Sequence, residues 1–177
     1  QSPLALAATW DEVLVGQVAK AIGEELRRKG VNVLLGPSVN VQRLPHHGRS
    51  FESLAGEDPH LGARLVRPFV HGVQSEKVIA CAKHFAFNDQ ERYKPRVSYE
   101  PSEKVAWELY YPPFEAAVEA GIGAVMCSDA KVNGTASCEN EHLLKRDLKG
   151  AMNFRGFVLS EWDTMSTSPR PGQTRSD

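Results

Sequence analysis

"VIACAKHF", residues 78–85, is the stretch whose reading decides the fold. Its apolar residues follow one another instead of alternating, and the run is too short for a helix. It reads as a strand buried on both faces, which is the habit of parallel sheets. Three other segments share the pattern: "VNVLLGPSVN" (31–40), which breaks at Gly36-Pro37, "GAVMCS" (123–128) and "GFVLSE" (156–161). Helical patterns separate them. Thr9 is placed to cap a helix carrying Val13, Val18, Ile22 and Leu26 on one face, with Gly30 as its stop. A second helix starts after Asp58-Pro59 and runs to about Gln74, with Pro68 inside it. A third runs from about Ser102 and bends near Pro112-Pro113. "ENEHLLKRDLKGAMNF" (139–154) is the fourth. Helices alternating with doubly buried strands predict an α/β architecture, either a doubly wound sheet or a (β/α) barrel.

Both architectures collect function just beyond the C-terminal ends of the strands. The polar residues of this chain gather there. Asn40 to Glu52 follow the first strand, and Lys83-His84 end the second. Ser128-Asp129 follow the third, and Glu161-Trp162 end the fourth. No glycine-rich phosphate loop follows any strand, so no nucleotide cofactor is expected. An inventory of Arg, Lys, His, Trp and carboxylates suits a ligand rich in hydroxyls. Charged groups fix the hydroxyls and an indole stacks on the apolar face of a sugar ring.

Composition narrows the remaining classes. The 177 residues are 41% hydrophobic and 24% charged, with a formal net charge of -1. That is ordinary for one globular domain with a real core. No basic stripe points to nucleic acid, and no apolar run is long enough to span a membrane. The first residue is Gln1, which fits a processed or longer precursor. Cys81, Cys127 and Cys138 match no zinc spacing, and no metal is expected. Cys127 and Cys138 are close enough for a small disulfide loop, and buried free thiols are the equal alternative. Between them, Asn133-Gly134-Thr135 is an N-glycosylation sequon, which leans towards an extracellular or secretory location.

Taken together, "PLALAATWDEVLV", "AIGEELRRKGVNVLLGPSVN", "GRSFESLAGEDPHLGA", "AKHFAFNDQE", "YPPFEAAVEAG", "VMCSDAKVNGTASCEN" and "GFVLSEW" resemble the N-terminal barrel domain of glycoside hydrolase family three, in family order, over about residues 2–165. The resemblance implies a TIM-type barrel of which about half is present, residues 166–177 being a polar, disordered tail. It implies a retaining β-glucosidase acting on a β-glucoside or oligosaccharide, through a carboxylate nucleophile and a second carboxyl acid/base. Glu161 stands at the nucleophile position and Trp162 at that of the sugar-stacking residue. Arg49, Lys83 and His84 match the family's substrate-binding arginine and Lys-His pair. Lys94 aligns with a substrate-facing arginine. Asp129 follows the third strand, and if the third and fourth strands are neighbours it crowds Glu161 and raises one carboxyl pKa by repulsion.

The sequence departs from the family pattern in ways that matter. The nucleophile is Glu where the family has Asp, a shift of about 1.5 Å in the carboxylate. Asp129-Ala130 replaces Tyr-Asn, and Lys94 cannot supply an arginine's two-pronged fork. A half-barrel has two open edges, which predicts self-association or completion by the rest of a barrel and a second domain. Two readings compete with the hydrolase. One is a non-catalytic sugar-binding remnant or partner subunit, and the other a Schiff-base enzyme using Lys83. Structural roles compete for single residues: Arg49 pairing with Glu52 or Asp58, His84 as a core histidine, and Trp162 as core packing.

Overall fold

The structure is a computed structural model and describes residues 2–162. A short helix, α1 (Pro3–Ala7), capped by the Ser2 hydroxyl, precedes the long α2 (Glu12–Arg28). The cap of α2 is Asp11, not Thr9. The Asp11 carboxylate accepts from the backbone N–H groups of Val13 and Leu14, whereas the Thr9 hydroxyl donates back to Leu6. A carboxylate at that position also faces the positive end of the helix, so it outcompetes the hydroxyl. The buried face of α2 is Val15, Ala19 and Gly23, with Val18, Ile22 and Leu26 beside it, and Val13 lies outside it, exposed.

The first strand, β1, is only Val33–Leu34. The break expected at Gly36-Pro37 is present, at a cis bond, and proline has no N–H for the ladder. Beyond it, Ser38 makes isolated bridges to Ser53 and Lys83. Helix α3 (Pro59–Ser75) is capped by Asp58 and continues through Pro68. The α2–α3 contact is close enough that a Cβ at Gly72 would meet the Gly16 carbonyl at 2.6 Å. This burial offsets the missing hydrogen bond at Pro68.

Strand β2 (Ile79–Phe85) leads to β3 (Ser98–Tyr99) and then α4 (Glu103–Val105). A π-type turn, Ala106–Tyr110, links α4 to α5 (Pro112–Glu119), so the helix is interrupted just before Pro112. Next come β4 (Ala124–Cys127) and the hairpin β5 (Lys131–Val132)–β6 (Thr135–Ala136). A π-type helix (His142–Ala151) and β7 (Phe157–Leu159) complete the described chain.

The main sheet is parallel, in the order β1-β2-β4-β7. The helices pack on its outer face around Phe85, whose ring stacks on Tyr111 and meets Phe114 edge-on. The inner face carries a smaller cluster of Cys81, Ala124 and Met126, flanked by Val33, Ile79 and Leu159. The strands follow one another in sequence and helices cover one side only. This is a partial (β/α) barrel, not a doubly wound sheet. Strands β3, β5 and β6 form a separate small sheet that the apolar runs did not announce. No helix among the described residues is long and apolar enough to cross a membrane. The expected polar tail, 166–177, lies outside the described residues.

Candidate active site

The sheet delivers its strand ends to one rim. Strands β4 and β7 pair Ala124 with Phe157 and Met126 with Leu159, so Asp129 and Glu161 emerge side by side. Next to β4, β2 ends in Lys83-His84, with a register shift between Ala82 and Phe85 and cis bonds at Lys83–His84 and Phe85–Ala86.

Glu161 is the centre of the rim. Its side chain is 11% exposed, and three groups surround it. His84 Nε2 lies 3.0 Å away, Lys94 Nζ 3.5 Å and Arg49 Nη1 3.6 Å. Burial alone would raise the Glu161 pKa. The His84 hydrogen bond and the charges of Lys94 and Arg49 outweigh it and pull the carboxyl down to about 2. Glu161 is therefore ionised at any physiological pH.

His84 is 2% exposed, and burial pushes its pKa down despite the neighbouring carboxylate. A neutral imidazole must then donate through one nitrogen. Asn88 Nδ2 lies 3.5 Å from Nδ1, which assigns the proton to Nε2, facing Glu161. Asn40 fixes the strand end from the other side. Its carboxamide donates to the His84 carbonyl at 2.8 Å and accepts from the His84 N–H at 2.7 Å. His84 is thus buried as a core histidine would be, yet its ring is committed to Glu161.

Lys94, 3% exposed, sits among three carboxylates: Asp129 at 2.9 Å, Glu91 at 3.4 Å and Glu161 at 3.5 Å. The expected crowding of Asp129 against Glu161 is therefore corrected. The strands are neighbours, but the ammonium lies between the two acids, and Glu161 is pulled down, not up. Arg49 bridges Glu161 and Glu91, the latter at 3.3 Å, so it pairs with neither Glu52 nor Asp58. Glu52 is taken by Lys83 at 3.5 Å. Both line a hollow of about 670 Å³ along β1. Trp162 is 76% exposed, so among the described residues its indole is not packed in a core and stays open.

Sequence reasoning passed over Glu91, Asn88 and Asp89. All three lie in "NDQE", right after a strand end, and that placement was the available signal. Asp89 is buried and accepts from the Tyr110 hydroxyl at 2.5 Å, while Arg43 donates to the same Tyr110 oxygen at 3.3 Å. The backbone N–H of Asp89 donates to the Tyr99 hydroxyl at 3.1 Å. Burial raises the Asp89 pKa against the pull of Tyr110, His47 and Arg43. This knot anchors the loop that carries Asn88, Glu91 and Lys94.

Cys127 and Cys138 form a disulfide, with Cα atoms 5.3 Å apart, which brackets Asp129. Cys81 is a buried free thiol.

Comparison with known proteins agrees with this geometry. The family model for the glycosyl hydrolase family 3 N terminal domain matches residues 2–176. The chain belongs to glycosyl hydrolase family 3. Among family members, beta-glucosidase BoGH3A of Bacteroides ovatus is 42% identical over 158 residues, which are 89% of this chain and 21% of that protein. Thermostable beta-glucosidase B of Acetivibrio thermocellus is 42% identical, over 93% of this chain and 22% of its own length. The chain thus spans about a fifth of these relatives. Beta-glucosidase 3B from Thermotoga neapolitana, solved in complex with α-D-glucose, superposes with a TM-score of 0.86 at 44% identity, over 89% of this chain and 22% of that one. DesR from Streptomyces venezuelae, a beta-glucosidase in complex with D-glucose, gives 0.90 at 35% identity, over 92% and 21%. The half-barrel is the N-terminal part of the family 3 fold.

Proposed function

We propose that this segment supplies the nucleophile side of a retaining β-glucosidase-type site acting on terminal β-linked sugars, with Glu161 as nucleophile. The observation that supports the reading most is the Glu161 carboxylate itself, ionised and held at a strand end by His84, Lys94 and Arg49, with an open indole next in sequence. Attack on an anomeric carbon needs an ionised, oriented oxygen, and this cluster provides both. Lys83, Arg49 and Trp162 are the groups placed to meet sugar hydroxyls and a ring face. The general acid is a separate matter. Asp129 and Glu91, the carboxylates beside Glu161, are ion-paired to Lys94 and Arg49, so neither is the group that protonates a leaving oxygen. That acid, and the rest of the barrel, comes from elements other than the described residues. Self-association across the β1 and β7 edges is the other way to cover the inner face.

The test is incubation with a 2-fluoro glucosyl fluoride, followed by intact-mass analysis. Glu161 Oε forms a bond to C1 while the C1–F pair leaves with fluoride, so no acid is needed. Slow labelling at Glu161, absent in Glu161→Gln, and near-zero turnover of aryl β-glucosides by the chain alone are expected. A label that persists in Glu161→Gln removes Glu161 from the role. Saturable sugar binding without any label favours the second reading, a sugar-binding module, for which the Asp-to-Glu exchange and Asp129-Ala130 argue. Borohydride trapping of a carbonyl sugar on Lys83 would instead support the Schiff-base reading.

A further inference from the structure

The hairpin that follows the third rim strand carries a feature that the sugar site does not use. Strands β5 and β6 pair Val132 with Thr135, leaving Asn133-Gly134 as a two-residue loop. Both loop residues have positive φ, 48° and 79°, the conformation that Asn-Gly adopts at low cost. The tip stands clear of the body: Asn133, Gly134 and Thr135 are exposed, and a Cβ added to Gly134 would meet nothing within 4 Å. The hairpin is nonetheless held firmly. The Asn133 N–H donates to the Tyr99 carbonyl at 2.9 Å, and the Gly134 N–H donates to the Ser98 hydroxyl at 2.9 Å. Those bonds use the backbone. Among the described residues the Asn133 carboxamide makes no hydrogen bond and stays available.

Asn133-Gly134-Thr135 is the only Asn-X-Ser/Thr sequence in the chain. A second, independent observation concerns the compartment. The Cys127–Cys138 disulfide encloses this hairpin, and such bonds form in oxidising compartments, where N-glycans are also attached. The third cysteine, Cys81, is buried away from exchange, its thiol pushed up to about 12 by burial.

We propose that Asn133 is an N-glycosylation site, so that the chain carries one N-linked oligosaccharide on the tip of the β5–β6 hairpin and folds in an oxidising secretory compartment. The bond formed joins the Asn133 amide nitrogen to C1 of the transferred saccharide. The lipid pyrophosphate donor leaves C1, and the amide proton goes to solvent. The glycan projects from the same rim as Asp129, since β5 begins just past the end of β4. The attachment does not depend on the hydrolase reading.

The experiment is expression of the chain in a eukaryotic secretory host behind that host's own leader. Both the secreted and the retained pools are digested with trypsin after reduction, and the peptide 132–145 is analysed by mass. Enzymatic deglycosylation in heavy-oxygen water marks the position released. The expected result is one glycan on Asn133 in at least nine-tenths of the molecules, roughly a tenfold excess over unmodified peptide. Thr135→Ser should keep the glycan and Thr135→Ala should lose it, both with the disulfide intact. An unmodified or merely deamidated Asn133 in disulfide-bonded protein overturns the proposal, as does a glycan that survives Thr135→Ala. The retained pool keeps the test decisive if the chain is not exported, because the transfer precedes export.

Discussion

Two carboxyl groups at the same rim of this sheet, Asp89 buried and Glu161 half-buried, behave in opposite ways. Glu161 and Asp89 are both shielded from water, and burial pushes both towards the neutral form. Glu161 nevertheless sits at about 2, while Asp89 lies above its ordinary value. The partners make the difference. Glu161 faces an ammonium, a guanidinium and a donating imidazole. Asp89 faces a phenol and a backbone-anchored loop, with its cations one shell further out. Burial sets the size of the stakes, and the charge of the neighbours sets the sign. One carboxyl is thereby kept ready for chemistry, and the other holds the loop that makes it so.

The comparison breaks most severely if the central cation is removed. Lys94→Met leaves Glu91, Asp129 and Glu161 facing one another without their ammonium. Removing one partner of a buried charge cluster costs about 3–5 kcal/mol. Urea unfolding at pH 7 should show a loss of that order.

The two acids should also differ in how stability depends on pH. Glu161's folded value lies below its ordinary 4.5, so its contribution is full above pH 4.5 and is lost as the pH falls towards 2. A shift of that size is worth up to about 3 kcal/mol, an upper bound because Arg49 is partly open to water. Asp89 is raised above its ordinary 3.8. Its contribution is full below pH 3.8 and is lost as the pH rises through the folded value. Glu161→Gln should therefore flatten the acid limb of a stability–pH curve measured by urea midpoint. Asp89→Asn should leave that limb in place and remove a decline above it, changing stability at pH 7 by about 1 kcal/mol or less.

An effect smaller than the loss of Lys94 comes from the disulfide, which braces the Asp129 side and not the Asp89 side. Reducing a bridge that closes so short a loop costs about 2–3 kcal/mol. Calorimetry with and without reductant should show the loss. Amide exchange should quicken around Ser128 to Glu139 while the Tyr110–Asp89 knot stays protected.

Much of this was legible in the sequence, and the reasons are physical. Doubly buried strands announce themselves as unbroken apolar runs, and β2, β4 and β7 fall where "VIACAKHF", "GAVMCS" and "GFVLSE" lie. The break read at Gly36-Pro37 is where β1 loses its regular pairing, although Val39 and Val41 beyond it stay buried and Val39 still donates to the Lys83 carbonyl at 2.9 Å. The small β3-β5-β6 sheet stayed hidden because its strands are two residues long, too short for periodicity. At the site, Arg49, His84, Asp129 and Glu161 were found by their place after strand ends and Lys94 only through the family resemblance, and all five do converge. What position could not reveal was the pairing. Whether Asp129 repels Glu161 or shares a lysine with it depends on the path of the loop after Asn88, and that path is set by Tyr110 and Tyr99 from elsewhere in the chain.

The most direct test is a carbon-13 NMR titration of the side-chain carboxyl groups, with the Glu161 resonance assigned by its loss in Glu161→Gln. Glu161 should stay ionised, its carboxyl shift unmoved from pH 7 down to pH 4 and turning only near the acid edge of the folded range, close to 2. A Glu161 midpoint at or above 4.5 would contradict the account, because His84, Lys94 and Arg49 would then not be holding the carboxylate in its charged form.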